Sequence, residues 1–343
     1  MMENDRDFKL QIGVIGAGSW GTALANLLAE KGYRIHLWVF EPEVKKQIET
    51  ERENKVFLPG ATLSERLMPS NDLAEVASGK DMVLVVTPSH VLRETSMRFS
   101  SFLSAETSVV TASKGIENVT HLTMSGVLRE TLPHIPENRL AVLSGPSFAR
   151  EVVQKVPTLV SVASGDNDTA QFVQKVFATN YFRVYTNNDM IGVELGGAVK
   201  NVIAIASGVI DGLKLGLNTR AALITRGLTE IRRLGTRMGA RPDTFAGLSG
   251  IGDLLLTCTG SLSRNYTVGK KIGEGKKLKE ILSDMRMVAE GVKTAKSVYN
   301  LSRKLGVEMP ICHEIYHILY DDDSPLAAVR RLMTRDLKDE LDD

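Results

Sequence analysis

Over its first 185 residues the chain repeats one pattern, in which short apolar runs at 10–15, 35–40, 83–86, 108–111, 140–143, 159–163 and 182–185 are separated by helical or loop segments. Runs this short, apolar at nearly every position, are strands covered on both faces, and strands alternating with helices predict a doubly wound α/β sheet. After Asn187 the pattern changes to the helical period and keeps it. Helices are predicted over 192–211, 221–238, around Leu254, and over 268–273, 278–285, 291–305, 311–320 and 327–335. The expected division is therefore residues 1–188 as one domain and 189–343 as a second, all-α domain, with the boundary near 187–189 and no long linker.

The helix over 192–211, GVELGGAVKNVIAIASGVID, has no wide polar stripe and should be buried on most sides, yet it carries a cation, Lys200. Burying an ammonium costs several kcal/mol unless it is paired or can lose its proton, which is how lysine is prepared for acid and base work. Two readings stand here. Lys200 is either an acid–base group or a structural lysine paired with a carboxylate such as Glu194 or Asp211.

The first apolar run leads directly into Gly16-Ala17-Gly18-Ser19-Trp20-Gly21 and then a helical pattern through Lys31. This is the G-x-G-x-x-G fingerprint between a strand and a helix: one glycine for the tight turn, one for approach of a pyrophosphate to the backbone, one for helix–strand packing. The run at 35–40 ends at Phe40-Glu41, about twenty residues after the last glycine, where a carboxylate can hold ribose hydroxyls. A Rossmann-type dinucleotide-binding domain is expected. In such sheets ligands lie beyond the carboxyl ends of the strands. That draws attention to Ser113-Lys114-Gly115 and to Ser144-Gly145-Pro146-Ser147-Phe148-Ala149. Lys114 reads either as a ligand or as a solvated loop residue, and Ser147 as a ligand or a helix cap.

In the helical half, the glycine-rich turn 247–252 ends at Asp253, which can be a functional carboxylate or an N-terminal cap. Ser263-Arg264-Asn265 opens another helix, and an arginine with an amide at a helix N-terminus makes an anion site, although the same arginine can be a surface residue. His313-Glu314-Ile315-Tyr316-His317 matches the H-E-x-x-H pattern of zinc sites. The residues fit equally well an amphipathic helix after Pro310, and no metal is expected.

Charge adds an exclusion: 42 Lys plus Arg stand against 41 Asp plus Glu, with no long basic run, so neither nucleic acid nor an anionic membrane is an expected partner. Cys258 and Cys312 form no C-x-x-C, which suits a reducing cytosol. The charged start MMENDRDFK is not a signal sequence, and no apolar run is expected to reach membrane-spanning length, so a cytoplasmic protein is expected.

GAGSWGTALA, SKG, LSGPSFA, GGAVKNVIAIASG, GLSGIGDLLLTCTG and SRN, in that order, resemble the bacterial NAD(P)-dependent sn-glycerol-3-phosphate dehydrogenase family from the first strand nearly to the end. The resemblance implies reversible hydride transfer between NAD or NADP and the C2 carbon of glycerol 3-phosphate or dihydroxyacetone phosphate, feeding phospholipid synthesis. It implies cofactor contacts at Ser19, Trp20, Phe40, Lys114, Ala149, Arg264, Val288 and Glu290, beside Gly16, Gly18, Gly21 and Glu41 from the fingerprint. Substrate contacts fall on Lys114, Gly145, Ser147, Lys200, Asp253, Ser263, Arg264 and Asn265, with Lys200 the proton acceptor and Lys114 a second catalytic cation. Many members carry a polar or basic residue where this chain has Phe40, so NAD is expected to serve at least as well as NADP. A related beta-hydroxyacid dehydrogenase and a non-catalytic dinucleotide sensor are the alternatives. The apolar helical half makes a homodimer the expected assembly.

Overall fold

The computed structural model describes residues 10–283, 285 and 289–340. By contact the chain divides into two compact units. One comprises residues up to Ser113 with Met124–Met190; the other comprises Lys114–Thr123 with the chain from Ile191 onward.

The first unit is built on eight strands: β1 (Gln11–Ile15), β2 (Arg34–Trp38), β3 (Leu67–Ser70), β4 (Met82–Val85), β5 (Ser108–Thr111), β6 (Leu140–Ser144), β7 (Thr158–Ala163) and β8 (Phe182–Asn187). They lie in the order β3-β2-β1-β4-β5-β6-β7-β8. Pairing is parallel from β3 through β6, β7 is antiparallel to β6, and β8 is parallel to β7. The helices of this unit are α1 (Ser19–Lys31), α2 (Pro42–Glu51), α3 (Leu73–Ala77), α4 (Leu92–Phe99), α5 (Met124–Thr131), α6 (Ala149–Val153) and α7 (Asn167–Phe177). β4 and β5 are buried at all positions, which is why they stand out in the sequence as uninterrupted apolar runs. β3 does not stand out. It reads Leu67-Met68-Pro69-Ser70 and lies at the edge of the sheet, where a proline is tolerated because one side of the strand has no partner.

The expected second strand, 35–40, is corrected at its end: β2 stops at Trp38, and Phe40 lies beyond it, 68% exposed. Glu41 then occupies the N-cap position of α2, with Pro42 opening the helix.

The helical unit contains α8 (Met190–Gly212), α9 (Gly216–Arg237), α10 (Asp253–Thr259), α11 (Arg264–Gly273), α12 (Leu278–Ser283), α13 (Glu290–Leu305), α14 (Pro310–Tyr320) and α15 (Pro325–Met333). Its apolar core runs along α8, from Leu195 through Val202 and Ile205 to Ile210. By length and composition α8 could cross a membrane, which corrects the expectation that no apolar run reaches that length; the helix is instead buried in protein. Its neighbours come close because glycines face them. A Cβ on Gly208 would fall 2.1 Å from the Tyr266 carbonyl oxygen, and one on Gly269 would fall 1.9 Å from that of Ile205, so α8 and α11 touch backbone to backbone.

Two helix starts differ from the periodic pattern for a local reason. α11 begins at Arg264 because the Ser263 hydroxyl accepts from Tyr266 N–H at 3.2 Å, and α15 begins at Pro325 because Ser324 caps it in the same way. Residues 114–123 follow β5 in the chain but belong to the helical unit. There Ile116 joins the apolar core and its carbonyl accepts from Ser297 Oγ at 2.8 Å.

Candidate active site

Lys200 sits midway along α8, 6% exposed, among Val199, Val202 and Ile203. Neither carboxylate considered as its structural partner holds it. The ammonium instead donates to Asp253 Oδ1 and, at 2.8 Å, to the Thr257 hydroxyl. Asp211 is occupied elsewhere, by Arg220 and by Lys270.

The other oxygen of the same carboxylate, Asp253 Oδ2, accepts from Lys114 Nζ at 2.7 Å. Asp253 is 1% exposed. It is the first residue of α10, whose N-cap position is Gly252, so the alternative reading of Asp253 as the cap is corrected. Lys114 is likewise not a freely solvated loop residue. Thr257 lies one helical turn after Asp253, and its hydroxyl donates to the Asp253 carbonyl at 2.6 Å, which fixes the spacing of the cluster.

The cluster holds two cations and one carboxylate, with Lys200 and Asp253 withdrawn from water. Burial lowers the Lys200 pKa from 10.5 to about 8, Asp253 opposing the fall and Lys114 adding to it. A lysine so placed exchanges protons near neutral pH. Cys258, close by on α10, is no competitor as a nucleophile, because burial pushes its thiol up to about 12.

A second group of side chains ties α8, α11 and α13 together. Asn265 Nδ2 donates to Asn201 Oδ1 at 2.9 Å, while Asn265 Oδ1 accepts from Gly291 N–H at 2.9 Å. Arg264 is the first residue of α11. Burial lowers its pKa and Glu290, the first residue of α13, opposes the shift. Arg264 is nonetheless solvent-exposed, and a guanidinium open to solvent at a helix N-terminus is an anion-binding arrangement. Ser263 serves as the cap of that helix, and Val288 lies outside the described residues.

Asn201 and Thr257 were not singled out from the sequence. A polar residue directly after Lys200 in an apolar helix, and a hydroxyl four residues after Asp253, were the available signals.

In the sheet unit, Gly16 has φ of +114° and a Cβ there would meet the Val86 carbonyl oxygen at 2.6 Å; a Cβ on Gly21 would meet the Gly16 carbonyl oxygen at 1.9 Å. Around Gly18 there is open space, with nothing within 4 Å of a built Cβ. The first and third glycines thus close the turn and pack helix on strand, and the second leaves its backbone open to a pyrophosphate. Ser19 Oγ donates to the Phe57 carbonyl at 2.6 Å, and Trp20 packs with Ala149 around Ala23, Leu58 and Ala61. The buried Trp20 Nε1–H has no hydrogen-bond partner among the described residues.

Beyond β6, Gly145 has φ of +147°, and Ser147 Oγ donates back to its carbonyl at 2.9 Å. Phe148 holds the N-cap position of α6, so Ser147 is not the helix cap its alternative reading made it. Two of the basic residues after Glu41 are engaged: Lys45 pairs with Glu49 at 2.6 Å, and Arg52 donates to the carbonyls of Leu63, Ser64 and Leu67.

The H-E-x-x-H residues do not converge. His313 Nε2 bonds Ser302 Oγ at 2.8 Å, His317 Nδ1 bonds Asp321 at 2.6 Å and Glu314 takes Arg331. Among the described residues no group of histidines, cysteines and carboxylates is placed to hold a metal.

Known proteins are similar to the chain along most of its length. Residues 11–170 match the model for the NAD-dependent glycerol-3-phosphate dehydrogenase N-terminus, and 189–330 match that for its C-terminus. The chain belongs to the NAD-dependent glycerol-3-phosphate dehydrogenase family. It is 57% identical to the glycerol-3-phosphate dehydrogenase [NAD(P)+] of Syntrophobacter fumaroxidans, over 96% of this chain and 97% of that one. Identity to the Citrifermentans bemidjiense protein of the same name is 58%, over 96% and 98%. The crystal structure of glycerol-3-phosphate dehydrogenase from Coxiella burnetii is similar at a TM-score of 0.92 and 41% identity, covering 96% of this chain and all of that one (100%).

Proposed function

We propose that this protein is an NAD(P)-dependent oxidoreductase that interconverts sn-glycerol 3-phosphate and dihydroxyacetone phosphate, supplying glycerol 3-phosphate for phospholipid synthesis. The observation that carries the reading is Lys200, buried with its ammonium on Asp253 and its pKa brought down to about 8. In this reading residues 1–188 bind the dinucleotide through Gly16, Gly18, Ser19, Trp20, Gly21, Phe40, Glu41 and Ala149. Residues 189–343, together with Lys114, bind the substrate and move the proton.

A bound nicotinamide dinucleotide supplies the hydride donor or acceptor. In oxidation, neutral Lys200 takes the C2 hydroxyl proton of glycerol 3-phosphate as hydride leaves that carbon; in reduction, its ammonium returns the proton to the former carbonyl oxygen. Asp253 positions both lysines, and Lys114 sets a second positive charge against the oxygen where negative charge develops. Arg264 binds the phosphate by charge-assisted bonds, with Ser263 and Asn265 beside it, and the family resemblance assigns Gly145 and Ser147 to the substrate as well. Glu290 and Val288 are assigned to the cofactor side.

Turnover by the purified protein tests the reading. Oxidation of glycerol 3-phosphate with no oxidation of short hydroxyacids is the expected result. Turnover of a hydroxyacid but not of glycerol 3-phosphate would make it a beta-hydroxyacid dehydrogenase, and dinucleotide binding without turnover of either would make it a sensor. A cytoplasmic location and a homodimer belong to the same proposal. The exposed Leu217, Leu326 and Met333 of the helical unit support self-association, which sedimentation equilibrium measures.

A further inference from the structure

The helical unit contains a second feature that the acid–base cluster does not use. An open groove of about 1160 Å³ is lined by Arg232, Arg233, Thr236 and Arg237 of α9, by Gly306, Val307 and Glu308 after α13, and by Leu337, Lys338 and Asp339 near the end of the chain. It shares no lining residue with Lys200, Asp253 or Lys114. Its volume lies just above the usual range of small-molecule sites, roughly 300–1,000 Å³, as suits an open groove.

The lining carries four cations, Arg232, Arg233, Arg237 and Lys338, against two carboxylates, Glu308 and Asp339, a net charge of +2. Glu308 is already engaged by Arg335 and, at 2.9 Å, by Lys338. Cations at the end of a helix have an ordinary use, since the carbonyl end carries about half a negative elementary charge. Of the three arginines in the last six residues of α9, only Arg237 lies in the last turn, where that effect acts. Four of the residues at positions 232, 233, 236 and 237 recur at helical spacing and so share one face, which turns the guanidiniums toward a common space. The Arg237 guanidinium is also oriented, because its Nε donates to the Leu305 carbonyl at 3.3 Å.

We propose that this groove is a binding site for a small polyanion carrying two or more phosphate or carboxylate groups, separate from the substrate phosphate site. The groove is open to solvent, Leu337, Lys338 and Asp339 on one wall being exposed, and cations on both walls favour a ligand with more than one anionic group. Arginine's planar fork suits phosphate and carboxylate equally, so both chemistries are covered.

Calorimetric titration with inorganic pyrophosphate, and separately with citrate, tests the proposal on the full chain held with NADH and glycerol 3-phosphate. That pair fills the cofactor and substrate sites without turning over. The expected result is one equivalent bound per chain, weakened roughly tenfold or more by Arg237→Glu and by Arg232→Gln, and tightened by Glu308→Gln. Arg264→Ala should leave this binding unchanged while impairing turnover, which keeps the test independent of the substrate assignment. Raised ionic strength should weaken it. Binding that neither arginine substitution alters, or none below about 10 mM ligand, would overturn the site.

Discussion

Replacing Lys200 by methionine removes the ammonium and leaves a side chain of similar length in the same apolar helix, so the consequences divide cleanly between chemistry and stability. A fall in pKa from 10.5 to about 8 corresponds to about 3 kcal/mol of penalty against the buried ammonium at neutral pH. The folded value is depressed for a base, so the unfolded chain binds more protons between the two values and stability rises as pH climbs from about 8 toward 10.5. Lys200→Met abolishes that rise, and removes the burial penalty at pH 7 at the cost of leaving Asp253 to Lys114 alone. Loss of the acid–base group lowers kcat by roughly 10² to 10⁴. The pH dependence is more diagnostic than the size of the loss. Oxidation of glycerol 3-phosphate needs neutral lysine, about a tenth of the population one pH unit below the pKa, so its rate rises through pH 8. Reduction of dihydroxyacetone phosphate needs the ammonium, so its rate falls over the same range. Steady-state kcat in both directions between pH 6 and 10, with thermal denaturation of wild type and variant alongside, is the assay. Two limbs running in the same direction, or a folded Lys200→Met retaining more than about a tenth of wild-type kcat, would refute the acid–base assignment.

Arg264→Ala should reduce kcat/KM for dihydroxyacetone phosphate by roughly ten- to a hundred-and-fifty-fold, at about 1.5–3 kcal/mol for each charge-assisted bond lost, while dihydroxyacetone itself is hardly affected; equal losses on both would make Arg264 a shaping residue only. NADH should serve at least as well as NADPH, because Glu41 follows β2, Phe40 offers no hydrogen bond, and Lys45 and Arg52 are held by Glu49 and by backbone carbonyls. A preference for NADPH above about tenfold at fixed ionic strength contradicts that. Glu230, 2% exposed, accepts from Ile311 N–H at 2.6 Å and Cys312 N–H at 3.1 Å, and burial raises its pKa from 4.5 to about 7. Since a raised folded pKa makes a carboxyl's contribution fall as pH rises from 4.5 through 7, Glu230→Gln should flatten the decline in stability measured by urea unfolding between pH 5 and pH 8.

Where a segment's own periodicity and turn chemistry decide its structure, the sequence was sufficient. The strand before Gly16, the buried strands Met82–Val85 and Ser108–Thr111, the long apolar helix around Lys200 and the change to helices after Asn187 all follow from local patterns of burial. So do Gly16, Gly18 and Gly21, since each glycine answers to a steric demand within a single turn. Lys200 itself was conspicuous because a cation in an apolar helix demands an explanation from whatever surrounds it.

Its surroundings were not legible. Asp253 and Thr257 lie 53 and 57 residues from Lys200, and Lys114 lies 139 residues from Asp253. Nothing local distinguishes Asp253 from a helix cap, or Glu194 and Asp211 from partners for the lysine. The choice is made by backbone approaches among α8, α10 and α11, which only packing sets. The same holds for Asn265, whose amide spans Asn201 and Gly291 from two other helices, and for residues 114–123, which leave the strand before them to join the helical core through Ile116. The edge strand β3 with its proline, and the H-E-x-x-H histidines that turn to Ser302 and Asp321, make the same point from opposite sides. A local pattern states what a segment can do; long-range contacts decide which partner each polar group meets, and here that decision sets the ease with which Lys200 carries its charge.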